Sequence, residues 1–308
     1  MRTLSGSFLE NLKDNGLLHP ILERVTQDHT LMLAIRGKYI NVYYRGGNLL
    51  KVEEQGKSSY RSTFDDQYNK YDKNIPKPPT AIKSSDDAKA WVEAFPHLKE
   101  IMDFYFTDYS KPEREFQQLV ARENNYSTIA NESEYFISDI EFADSVIGAR
   151  FDMLAIRWLA SKRKSGSHCR VAFIEMKYGD NALCGSAGLL EHLKKIDSFM
   201  SDSENYKALL KTMEVQFDQL YQLGLLRFNR SSNVNKIKLD SNDKPEVIVL
   251  LANHNPRSSQ LKTMLEEPEF SELSQSQRFD LKFFVASFAG YGLHEKCMLS
   301  LTKFLQLL

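Results

Sequence analysis

The hydrophobic pattern falls into two stretches of different character. Over the first hundred residues, two short amphipathic segments, SFLENLKDNG and LHPILERVTQ, precede LMLAIRGKYINVYYRGGNLLKVEE. There Ile40, Val42 and Tyr44 alternate with Tyr39, Asn41 and Tyr43, the period of two expected of a strand with one buried face. The Gly46-Gly47 pair separates this run from Leu49-Leu50-Lys51-Val52, which predicts a hairpin turning at the glycines. Residues 75–89, IPKPPTAIKSSDDAK, interrupt the pattern, and Ser84, Ser85 or Asp86 is placed to cap the helix that follows. That helix, AKAWVEAFPHLKEIMDFYF, carries Pro96, whose missing N–H predicts a kink or two separate helices.

The pattern changes at Lys111. KPEREFQQLVAREN has Pro112 at its start, glutamates in its first turn, and Phe116, Leu119 and Val120 at helical spacing. Three strand candidates follow: EYFISDIEF (134–142), ARFDMLAIRWLA (149–160) and CRVAFIEMKYG (169–179). Two helices come next, GSAGLLEHLKKIDSFM and ENYKALLKTMEVQFDQLYQLGLL. EVIVLLA at 246–252 is almost wholly aliphatic, as expected of a strand buried on both faces. A helix (SSQLKTMLEE), a strand (LKFFVASFAG) and a last helix (HEKCMLSLTKFLQLL) complete the chain. This order predicts an α/β fold over residues 111–308, with a mixed central β-sheet flanked by helices. An N-terminal α+β domain over 1–110, serving recognition or assembly, precedes it.

Composition narrows the partners. Of 308 residues, 40 are Lys or Arg and 41 are Asp or Glu, so no global field draws the chain to nucleic acid or anionic lipid. Binding of either kind must come from local patches. Arg157, Lys162, Arg163, Lys164 and Arg170 form one basic group, and Arg227, Arg230, Lys236 and Lys238 another. Either could track a phosphate backbone. Arg36, Lys38, Tyr39, Tyr43, Tyr44 and Arg45 interleave basic and aromatic side chains, a pattern suited to base stacking or to core packing. Cys169, Cys184 and Cys297 make no C-x-x-C pair, and an odd count suits free thiols in a reducing compartment. His168 and Cys169 have no partner at zinc-ligand spacing. The segment behind Arg2 lacks the apolar run of a secretory signal. The longest aliphatic run, 247–252, is far short of the ~20 residues that span a bilayer. A cytoplasmic protein with no membrane partner is expected.

The chemistry concentrates in two of the strands. In CRVAFIEMKYG, alternation sends Glu175 and Lys177 to one face together with Val171 and Phe173. Asp152 lies among Phe151, Met153, Leu154, Ala155 and Ile156, where a charge is costly unless paired or bound to a metal. A hairpin joined through ASKRKSGSH would bring Asp152 beside Glu175. Two carboxylates at one point form a hard oxygen site for Mg²⁺ or Mn²⁺, and Lys177 could offset charge on a reacting phosphate. The plainer alternative is a Glu175–Lys177 ion pair at a sheet end. His192 reads as a surface helix residue, Asp180 as a turn or cap residue, and GSAG at 185–188 as a helix start, since it lacks the phosphate-loop pattern.

An aspartate, 22 intervening residues and then E-x-K on adjacent strands, after a glutamate-bearing helix, resembles the PD-(D/E)XK nuclease superfamily. The helix wording EREFQQLV is similar to the restriction, repair and anti-phage endonuclease branch. The resemblance covers about 112–253 and implies a restriction-endonuclease-like αβββαβ core. It implies a metal-dependent nuclease acting on nucleic acid, DNA foremost, in defence or repair, as a homo-oligomer or with a protein partner. Asp152, Glu175 and Lys177 would be the catalytic residues, with Asp152 and Glu175 holding Mg²⁺ or Mn²⁺. Glu113 would be the helix glutamate, because Phe116 and Val120 share its face, and Glu115 is the alternative. Arg150 and Phe151 stand where the family often has proline before the aspartate. Gln216 and Tyr221 are five apart rather than in a Gln-x-x-x-Tyr spacing, and His192 and Lys195 are alternatives for that helix's role. The same resemblance also allows a catalytically silent nuclease fold that binds nucleic acid or a partner within a larger assembly.

Overall fold

Helical and strand periodicities resolve into two sheets, each with its own helices. The computed structural model describes residues 2–71, 74–144, 149–179, 183, 188–255, 257–286 and 290–308. Asp180, Cys184 and residues 185–187 of the expected helix start lie outside the described residues. The chain divides into two units, Met1–Gln118 with Gln219–Leu225, and Leu119–Asp218 with Leu226–Leu308.

In the first unit, α1 (Gly6–Leu12) and α2 (His19–Gln27) precede β1 (Leu31–Ile35), β2 (Tyr39–Tyr44), β3 (Gly47–Gly56), β4 (Ser59–Thr63) and β5 (Ala81–Ile82). These strands form an antiparallel sheet in sequence order, closed by the helix α3 (Ser85–Asp108). Buried Ile40 and Val42 realise the alternation of β2. The hairpin turns one residue earlier than the glycine pair suggests. Tyr44 pairs with Gly47, and the turn residues are Arg45 (φ 47°) and Gly46 (φ 78°). Both occupy the left-handed region that a two-residue hairpin of this twist needs. Arg45 is held there by Asp103 at 2.8 Å and Glu115 at 3.3 Å. Gly47 serves close approach, since a Cβ there would fall 2.6 Å from Met102 Cε and 2.7 Å from Phe106 Cζ.

Pro96 does not split α3, which runs unbroken from Ser85 to Asp108. Proline removes one hydrogen bond, but Trp91, Phe95, Leu98 and Met102 bury the surrounding turns. A Ser84–Asp87 capping box fixes the start of α3. The basic and aromatic groups of the hairpin are used within the unit. Arg36 donates to Tyr43 Oη at 2.9 Å, and Tyr44 Oη donates to Asp103 at 3.0 Å.

Asp28, after α2, accepts from Lys99 and from Thr30. Burial alone would raise its pKa, but these donors outweigh it and hold the carboxyl at about 2.

The second unit begins within α4 (Pro112–Asn125), which passes from one unit to the other. Next come β6 (Tyr135–Asp144), β7 (Ala149–Arg157), β8 (Arg170–Tyr178), α5 (Leu189–Ser201), α6 (Ser203–Gln222) and β9 (Glu246–Ala252). Then follow α7 (Ser259–Leu265), α8 (Pro268–Ser274), β10 (Asp280–Val285) and α9 (Leu301–Leu305). The sheet order is β10-β9-β8-β7-β6. β6, β7 and β8 form an antiparallel meander, whereas β8, β9 and β10 are parallel. The fold is thus mixed α/β, with helices flanking both sheets. All seven residues of β9 are buried, as its aliphatic composition predicts. Among the described residues, no helix is long and apolar enough to cross a membrane. The last helix is shorter than its periodicity suggests, because Leu299 forms a bridge with Phe283 of β10 and interrupts it.

One end of this sheet is tied by charge. Tyr135 of β6 donates to Glu246 Oε2 of β9 at 2.7 Å. Arg157 of β7 and Arg170 of β8 each stand 3.6 Å from Glu246 Oε1, and Arg170 reaches Asp280 of β10 at 2.9 Å. Each of the five strands contributes a residue. Glu246→Ala should therefore lower stability by about 1–3 kcal/mol, because it leaves the buried Tyr135 hydroxyl without its acceptor, while Arg157 and Arg170 keep Glu295 and Asp280. An unchanged urea midpoint would show that solvent already screens the cluster. Asp28→Asn should lower the melting temperature near pH 7 by the equivalent of at most about 1 kcal/mol. Since the folded pKa lies below the unfolded one, this contribution is complete above about pH 4 and is lost as pH falls toward 2. The gap from wild type should close over that window in a pH series of thermal melts.

Candidate functional site

At the end opposite the charge cluster, the sheet divides. β7 and β8 pair only from Arg157↔Arg170 to Met153↔Ile174. Beyond that point β7 stays with β6 through Asp144↔Ala149, and β8 stays with β9 through Tyr178↔Ala252. Continuing the register by one residue sets Asp152 opposite Glu175, so the fork opens at these two carboxylates. Asp152 itself replaces the missing ladder bond, its Oδ2 accepting the Met176 N–H at 3.0 Å. The edge strand keeps one register past this point, its only shift among the described residues lying earlier, between Ile137 and Asp139. Ile140 pairs with Met153 and Phe142 with Phe151, while Glu141 between them has φ 47°. A non-glycine residue in that region costs about 1–3 kcal/mol and marks a locally constrained backbone.

Glu175 is the centre of the site. It is 2% exposed and Lys177 is 4% exposed. Lys177 Nζ lies 2.8 Å and His192 Nδ1 2.6 Å from the same oxygen, Glu175 Oε1. Burial alone would raise the Glu175 pKa, but the His192 and Lys177 contacts outweigh it and hold the carboxyl below its usual range. A charged carboxylate is thus maintained inside the protein. The expected Glu175–Lys177 ion pair is present, and a histidine completes it.

No family model, no curated protein and no solved structure matches this chain.

The site residues read from sequence lie as follows. Asp152, Glu175 and Lys177 stand together at the fork of the second unit. Glu113 is in the first turn of α4, half-buried, and belongs to the first unit. Glu115, its alternative, is engaged by Arg45. The basic hairpin group is not at the fork. Arg157 and Arg170 begin the loop that lies five residues from Asp152 and Glu175, or roughly 17 Å along the strands. Both belong to the Glu246 cluster, and Arg163 is buried against Phe136 and Phe228 while donating to Asn131 and Ser133 carbonyls. Charges committed to a fold cannot also track a phosphate backbone. Lys162, Lys164, Arg227, Lys236 and Lys238 are exposed.

His192 corrects the expectation of a surface residue. Leu189, Leu193 and Ile196 are buried, and His192 falls at i+3 from Leu189, beside that stripe. The same periodicity would have signalled Gln216, which is three residues after buried Met213 and donates from Nε2 to buried Asp139 at 3.1 Å. Glu141 gave no comparable signal, since its backbone conformation depends on the pairing on either side. Cys169 is a free buried thiol, its pKa pushed up to about 12 by burial.

Among the described residues, no three His, Cys, Asp or Glu side chains stand together as a ready metal site. The donors at the fork nonetheless fit Mg²⁺, which commonly takes one or two carboxylates and fills its remaining positions with water and substrate oxygens. Asp152 and Glu175 could supply those carboxylates, and the His192 and Lys177 contacts favour the charged form of Glu175 that a metal requires.

Lys177→Met should destabilise the fold by about 1–3 kcal/mol, because it leaves the buried Glu175 carboxylate with His192 alone. The Glu175→Gln, Lys177→Met double variant should be more stable than Lys177→Met alone. Urea unfolding of the set measures this, and equal losses would mean that the pair does not interact.

Proposed function

We propose that this chain is a metal-dependent nuclease of the PD-(D/E)XK type, hydrolysing phosphodiester bonds in nucleic acid, with DNA as the first candidate. The observation that carries the reading is the fork between β7 and β8, which gathers Asp152, Glu175 and Lys177 where the strands part. Connectivity supports it as well. The run α4, β6, β7, β8, α5 with α6, and β9 has the order of an αβββαβ core, with β9 parallel to β8.

In this reading Asp152 and Glu175 hold the cation. Bound Mg²⁺ or Mn²⁺ would supply a Lewis acid for a phosphoryl oxygen and a coordinated water of lowered pKa. Asp152 is oriented by the Met176 N–H and Glu175 by Lys177 and His192, so neither carboxylate need reorganise for the task. The Lys177 ammonium offsets negative charge developing on the phosphate. The resemblance names Glu113 as the helix glutamate, with Glu115 the alternative.

A second reading follows from burial. With Glu175 only 2% exposed, the chain could bind nucleic acid or a partner without cutting, or cut only when a partner opens the fork.

The test is incubation with supercoiled plasmid, linear duplex, single-stranded DNA and RNA, each with Mg²⁺, Mn²⁺ or EDTA. Wild type, Asp152→Asn and Lys177→Met are compared at a temperature where all three are folded. Metal-dependent cleavage reduced at least about a hundredfold in both variants is expected. Cleavage equal in the variants would sink the nuclease reading, and salt-sensitive binding without cleavage would favour the second.

A further inference from the structure

Lys177 and His192 reach the same oxygen of Glu175 from different elements. Lys177 is two residues along β8, and its flexible stem fixes the position of the charge rather than the plane of the carboxylate. His192 comes from α5, which is anchored by Leu189, Leu193 and Ile196. The same helix touches both strands beside the fork through Phe199, whose ring lies 5.1 Å from Phe151, on the free arm of β7, and 6.4 Å from Phe173, in the paired part of β8. One helix thus contacts both strands and also meets the Glu175 carboxylate. Both nitrogen contacts fall on Oε1.

We propose that His192 is a positioning residue: it holds Glu175 Oε1 from α5, fixing the carboxylate so that Oε2 is presented to a hard divalent cation at the fork. The inference rests on the metal reading of Asp152 and Glu175. His192 acts through Glu175 and does not itself bind the cation. Its contribution is of the kind that outer partners make to metal ligands, and losing such a partner commonly lowers metal affinity 10–100-fold.

The test measures Mn²⁺ affinity of the full chain by the electron paramagnetic resonance signal of free Mn²⁺, so no catalysis is needed. Wild type is compared with Asp152→Asn, His192→Phe and His192→Gln. Phenylalanine keeps a ring without a donor, and glutamine keeps a donor without a ring. Wild type should bind, and Asp152→Asn should not. His192→Phe should bind about 10–100-fold more weakly, and His192→Gln should recover most of the wild-type affinity. Wild-type affinity in His192→Phe, with binding still lost in Asp152→Asn, would overturn the inference and leave the metal reading standing. Equal losses in the Phe and Gln variants would overturn it too, since packing rather than a donor would then be at stake. Absence of Mn²⁺ binding to wild type would overturn the metal reading, and this inference with it.

Discussion

The second unit depends on the register of its five strands, and the Glu246 cluster is what ties that register at one end. A β-strand shifted by one residue turns every side chain to the opposite face. Tyr135, Arg157, Arg170, Glu246 and Asp280 come from five different strands, and their contacts meet only in one alignment. Buried ion clusters are weak sources of net stability, because desolvation offsets much of the Coulomb attraction. Their value here is alignment. With β7 and β8 in this register, Asp152 faces Glu175. A slip of one residue would point Glu175 and Lys177 to the other side of the sheet.

From that clamp the sheet runs toward a fork, and the two ends contrast physically. At the clamp, charges compensate one another across the strands. At the fork, a ladder bond is replaced by the Asp152 side chain, Glu141 takes a left-handed backbone, and Glu175 is kept ionised while buried. A carboxylate in such surroundings would ordinarily take up a proton, and the neighbouring Lys177 and His192 reverse that preference. Concentrated constraint of this kind is typical of sites where geometry serves chemistry rather than stability.

Much of the architecture was legible in the chain. Apolar alternation located β2, β6, β7 and β8, the aliphatic run of β9 signalled burial on both faces, and Ser84, one of three cap candidates, announced the start of α3. The spacing from Asp152 to Glu175 and Lys177 already suggested a hairpin with both carboxylates at one place. Other features were misread for definable reasons. Pro96 looked like a helix break because local propensity omits the packing of Trp91, Phe95 and Met102 around it. The turn at Arg45–Gly46 was displaced by one residue because ion pairs to Asp103 and Glu115 hold an arginine in a glycine-like conformation. Within the basic hairpin, Arg157, Arg163 and Arg170 are committed to the fold, which the sequence could not show because it does not reveal which guanidinium groups meet carboxylates or carbonyls.

The sequence by itself determined the periodicities, and with them which residues form strands and helices and which side chains share a face. These are properties of neighbours along the chain, set by backbone geometry and solvent. Tertiary structure decided where β7 parts from β8, that His192 rather than an exposed lysine meets Glu175, and that Arg157 and Arg170 serve Glu246. Each of these turns on partners 17 to 89 residues apart in the chain. The energy of such contacts depends on burial and on exact distance, so it exists only once the strands and α5 have packed.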